Sequence, residues 1–200
     1  LKGASRPGAV FYPGATSYGT FGGGGAAFPS FLLTAAEVNL ILAEASERGI
    51  GGLTPATAAA YYTAGITASM EMWGVTDQPS IAAYLAQPNI VYAGGTPGLT
   101  QIGQQKYITL FSDGGQAWAE WRRTCVPATI QPGPAALRAN VPRRFQYSIT
   151  EISVNGANVD AAIADQGPDA FETRMYWDTK PNASPTWFAA CGIRGQAPAP

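Results

Sequence analysis

The stretch TAAEVNLILAEASERG, residues 34–49, decides the fold class, because it carries every signal of a bounded amphipathic helix. Thr34 followed three residues later by Glu37 is a capping box, in which each side chain answers an orphan N–H of the first turn. Val38, Ile41, Leu42 and Ala45 recur at helical spacing and are expected to form the apolar face. Glu44 and Arg48 stand four apart, which suits a surface ion pair. Gly49 supplies the left-handed residue that stops the helix, so a helix over 35–48 is predicted.

Working outward, a short loop (49–53) leads to Thr54-Pro55, a cap followed by proline in the first turn. The helix it opens runs through Tyr61, Tyr62, Ile66 and Trp73 to Gly74, with Ala58, Gly65, Ala68 and Ser69 small enough for a second helix to come close. Two helices joined so tightly pack as an antiparallel hairpin. A short helix over 80–87 is expected next. After a loop at 93–99, Thr100 is expected to cap a helix bearing Ile102, Tyr107, Leu110 and Phe111. The Asp113-Gly114-Gly115 break then precedes another helix over 116–123. The expected fold is mainly α: helical hairpins at a roughly TPR-like period, stacked in solenoid fashion with long irregular loops.

Both flanks differ in character. Residues 1–30 are rich in glycine and aromatics, and four consecutive glycines at 22–25 read as loop. Residues 127–142 are proline-rich and irregular, 143–153 alternate as an extended segment would, and 155–164 read as one short helix capped by Asn155. Residues 173–177 form a candidate strand, and the chain from 181 reads as coil. The whole is taken as a single helical domain segment over 1–200, divided into the loop at 1–30, hairpins at 31–125 and a loop-rich part at 126–200.

Composition excludes several functions. Charged residues are 12% of the chain, about half the usual share, and the net charge is −1. Short pairs at Arg122–Arg123 and Arg143–Arg144 make no basic footprint, so nucleic acid is not expected as a partner. The absence of histidine excludes Ser-His-Asp and Cys-His catalysis within the chain and removes the commonest transition-metal ligand; no cofactor or metal is expected. Cys125 and Cys191 match no metal spacing, and either form one disulfide or stand as two thiols.

A glycosidase needs two carboxylates flanking a cleft. Glu37 and Glu44 lie about 10 Å apart along one helix, a separation that suits an inverting pair. Yet the capping box accounts for Glu37, and Arg48 accounts for Glu44. Trp118 and Trp121 share a helix side and are expected in packing rather than sugar stacking. Glu120-Trp121-Arg122-Arg123 is expected to hold its helix against the following loop through charge-assisted hydrogen bonds. Among residues suited to ligand contact by type and loop position are Tyr12, Tyr18 and Trp187.

Several blocks in order resemble the SusD/RagB-like outer-membrane nutrient-binding lipoproteins, in their SusD-like branch. They are FLLTAAEV (31–38) with AEA (43–45), the run from Tyr62 to Val75, QKY (105–107) with AWAEWRRT (117–124), VPRRF (141–145), 151–158, and RMYWD (174–178). The resemblance covers roughly 31–178 and identifies a C-terminal segment. Cys125 departs from it, standing where a small residue such as glycine is expected, and the family's N-terminal half and lipid-anchoring cysteine are absent from this sequence.

The resemblance implies a surface-exposed outer-membrane lipoprotein of Bacteroidota-type bacteria, anchored by lipid in its full-length form. Such proteins capture oligosaccharides, or peptides in some members, for a TonB-dependent SusC-like transporter, and they are not enzymes. The family segment matching Trp177-Asp178 lies near a loop that helps bind calcium, but one carboxylate is no calcium site.

Overall fold

The computed structural model describes residues 31–130, Pro142, residues 144–171, Thr173 and Met175, together with the backbone of two short strands at 17–18 and 21–22. The chain divides into two compact units, Leu1–Trp121 and Arg122–Pro200. Its described elements are β1 (Ser17–Tyr18), β2 (Phe21–Gly22) and helices α1 (Ala35–Glu47), α2 (Pro55–Met72), α3 (Gln78–Leu85), α4 (Gly95–Thr109), α5 (Gly114–Thr124) and α6 (Ile149–Gln166). The fold is therefore mainly α, as expected. The glycine-rich segment contains an antiparallel pair, Ser17 opposite Gly22 and Tyr18 opposite Phe21. Gly22 thus joins a ladder that sequence alone assigned to loop; a ladder two pairs long needs only backbone groups.

α1 begins with the Thr34 half of the expected box, the Thr34 hydroxyl oxygen accepting from the Glu37 N–H at 3.1 Å. Arg48 closes it and Gly49 follows at φ +66°. The buried face is a different one. Ala36, Leu40, Ala43 and Ser46 point inward, whereas Val38 and Ile41 remain 37% and 43% exposed. Both stripes obey the 3.6-residue period, and close approach selects the one with smaller side chains. α1 packs on α2 and α4, and Gly65 of α2 lets the backbone meet Leu40 directly. The core gathers Leu40, Ala43, Tyr62, Ile66, Ile90 and Ile102, with Tyr84 and Tyr92 packed around it.

α4 starts five residues before Thr100, which lies inside the helix and donates its hydroxyl to the Thr96 carbonyl. Pro97 fits the first turn, where no intrahelical N–H is needed. The cap comes from a distance: the Glu47 carboxylate of α1 accepts from the Gly95 N–H and, at 2.6 Å, from the Tyr92 hydroxyl. Gln101 fixes the preceding loop, accepting from the Ala93 N–H and donating to the Asn89 and Val91 carbonyls. α3 opens two residues earlier than expected because Asp77 caps it, accepting from the Ser80 N–H at 2.9 Å.

In the second unit, α6 takes in residues 149–153 of the expected extended segment and the whole of the short helix, while 144–148 lie outside any helix. Ser148 caps it, accepting from the Glu151 N–H at 3.1 Å, and Glu151 lies in the first turn. Asn155 is not its cap but a kink inside it, at φ −130° and ψ 30°. The candidate strand over 173–177 lies outside the described residues except for Thr173 and Met175, neither of which is in a strand.

Candidate functional site

Tyr12, Trp187, Cys191 and the Trp177-Asp178 pair lie outside the described residues, and of Tyr18 only the backbone is described. What the described residues do assemble is an aromatic row at one end of the helical unit. Phe31 precedes the cap of α1, Trp73 closes α2, and Phe111 follows α4. Phe31 meets Trp73 with ring centroids 6.4 Å apart, and Trp73 meets Phe111 at 6.0 Å, both edge to face. Such edge-to-face contacts are worth about 1 kcal/mol each beyond area burial. Phe111 remains 67% exposed, so the row reaches the surface. In the sequence these aromatics stand at three separate helix ends, and only the packing of the helices brings their rings together.

Trp118 and Trp121 stack at 5.3 Å. Trp121 is buried and Trp118 half-exposed, so the packing expectation holds for Trp121.

Three helices are tied by charge. Lys106 of α4 places its Nζ 3.0 Å from Glu120 of α5 and 3.4 Å from Glu44 of α1, and the other Glu44 oxygen takes the Arg48 Nε at 2.9 Å. All three residues of the Lys106 cluster are largely shielded from water. Both Glu44 oxygens are thus engaged by cations, which is the opposite of the proton-holding acid a glycosidase requires. The Glu120-to-Arg123 block takes part in such ties: Glu120 through Lys106, and Arg122 by donating to the Pro142 carbonyl.

In the second unit, Asp169 accepts from Arg144 Nη2 at 2.9 Å and from the Tyr147 N–H at 3.2 Å. The Arg144 guanidinium also lies over the Tyr147 ring at 4.8 Å, and Gln166 donates to the Tyr147 hydroxyl. The cluster anchors the segment before α6 to the chain after it. Among the described residues, no group of three or more His, Cys, Asp or Glu is placed to hold a metal ion. No described helix is long and apolar enough to cross a membrane.

With this geometry in view, the comparisons decide the family. The SusD-like family described as "Starch-binding associating with outer membrane" matches residues 14–148. The chain is also similar to solved structures. A Bacteroidetes SusD-like protein shares 28% identity at a TM-score of 0.67, over 78% of this chain and 32% of that one. A SusD homologue from Bacteroides fragilis shares 32% at 0.63, over 76% and 36%. Another, from Bacteroides thetaiotaomicron, shares 27% at 0.59, over 78% and 40%. A comparison with curated proteins finds no match. The chain belongs to the SusD-like family, which is associated with the outer membrane. It spans between 32% and 40% of the length of these solved relatives.

Proposed function

We propose that this chain is part of a non-catalytic binding protein that captures oligosaccharide or polysaccharide at the outer surface of the outer membrane and delivers it to a TonB-dependent SusC-like transporter. Peptide is the alternative cargo. The observation that carries this reading is the family match over residues 14–148, to a family described as starch-binding. The cation-bound state of Glu44 makes it unsuited to the general-acid role in the Glu37–Glu44 pair. A lipid anchor elsewhere in the full-length protein would hold it to the membrane. Tyr12, Tyr18 and Trp187 are the proposed stacking residues.

A second reading, a scaffold with no ligand site of its own, draws on the exposed apolar side chains Phe145, Ile149 and Val154, which suit a protein interface.

Affinity electrophoresis through gels loaded with starch and a panel of other polysaccharides, paired with an assay for released sugar, separates the readings. Retardation without product supports capture, and weakening in Tyr12→Ala or Tyr18→Ala places the site. Product release lost on changing one carboxylate would overturn the non-catalytic assignment. A folded chain that no glycan or peptide retards would leave the scaffold reading.

A further inference from the structure

Cys125 occupies a place that glycine normally holds. α5 ends at Thr124, and the next residue takes φ +57°, the left-handed conformation of a helix C-terminal stop. Among the described residues it is the one non-glycine residue with positive φ; Gly49 and Gly74 do the same work after α1 and α2. A Cβ is disfavoured there, so a cysteine at this position is at a conformational disadvantage that glycine would not have. The corner is also closed. Thr124, Cys125 and Val126 are all buried, and the Thr124 hydroxyl oxygen accepts from the Val126 N–H at 3.2 Å, bridging the residue between them. Cys125 is disulfide-bonded.

We infer that Cys125 is a covalent clamp at the end of α5, paired with Cys191, the only other cysteine of the chain. Its bond outweighs the unfavourable backbone of the corner. The bond joins positions 66 residues apart in sequence, and a loop of that length loses much conformational freedom when closed. Formation takes two thiols to one disulfide. Two protons are released, and two electrons pass to an oxidising disulfide such as glutathione disulfide, which leaves as two thiols. The clamp therefore closes in an oxidising compartment and opens under dithiol reductant.

The test uses the full chain oxidised with glutathione disulfide. Thiol titration in denaturant should find no free thiol, and peptide mapping without reductant should recover 125 and 191 in one linked fragment. Cys191→Ser should lower Tm by roughly 5–15 °C and speed proteolysis C-terminal to α5, as reductant does to the unchanged chain. In the Cys191→Ser background, Cys125→Gly should melt roughly 2–5 °C above Cys125→Ala, because only glycine is at ease in the left-handed corner. Two titratable thiols after oxidation, or disulfide-linked dimers on a non-reducing gel, would overturn the clamp. Equal melting of the glycine and alanine variants would overturn its conformational half.

Discussion

Leu40 lies so close to Gly65 that a Cβ added at residue 65 would sit 2.7 Å from Leu40 Cγ and 3.3 Å from the Ala36 carbonyl oxygen. The seam between α1 and α2 is therefore set by backbone approach rather than by interlocking large side chains. Gly65→Ala should destabilise the chain by about 1–3 kcal/mol despite its better helix propensity. Chemical denaturation measures this, and an unchanged midpoint would mean the seam can open at no cost.

Lys106 serves two carboxylates on two other helices. Lys106→Met removes the ammonium that Glu44 and Glu120 share, in surroundings that hold little water. A loss of about 3 kcal/mol is expected. Glu120→Gln added to Lys106→Met should restore part of it, which a double-mutant cycle would quantify.

Tyr62 is buried against Tyr92, and its hydroxyl has no hydrogen-bond partner. Burial, with a smaller contribution from Tyr84, pushes its pKa up to about 12. The folded state thus favours the neutral phenol. This contribution to stability is complete below the ordinary tyrosine value of 10.0 and is lost as pH rises towards about 12. Tyr62→Phe should gain about 1 kcal/mol at neutral pH, by removing an unpaired buried hydroxyl, and should flatten the alkaline decline. Thermal melts across that range would reveal both effects.

The Asp77 carboxylate is held below its usual range by its hydrogen bonds with Ser80, through the side chain and the backbone. A depressed value stabilises the fold above the ordinary 3.8 and is lost as pH falls through the lower, folded value. Protection factors of the first-turn amides of α3, taken against intrinsic exchange at each pH, should therefore fall in acid. Asp77→Ala should lower them at neutral pH as well.

Ser148→Ala removes the cap of α6 and should cost its unit about 1 kcal/mol. The helical signal at 222 nm reports the loss if the first turn frays.

What could be read from sequence was local. Thr34, Glu37, Gly49, Pro55 and Gly74 each act within a turn of themselves, and α1 and α2 lie where these residues put them; Thr54 holds the cap position of α2 without a side-chain cap hydrogen bond. α4 was misjudged because its cap, Glu47, comes from another helix, 48 positions before Gly95. α6 differs: Ser148 and Glu151 spell a local capping signal, and the alternation over 143–153 masks it. The buried face of α1 turned on Gly65, whose effect exists only once two helices are paired. The aromatic row joins residues 31, 73 and 111, a juxtaposition no local pattern can carry. The glycine expected at 125 had a physical cause, the left-handed corner that cysteine now fills.

The kink at Asn155 leaves the opening half of α6 with Ile149 and Val154 more than 80% exposed, while Val159 beyond it is buried. Purified in isolation, the chain therefore carries greasy surface on a helix free of basic residues. That segment adds to its tendency to self-associate: light scattering at millimolar concentration should increase with kosmotropic salt and fall with mild detergent.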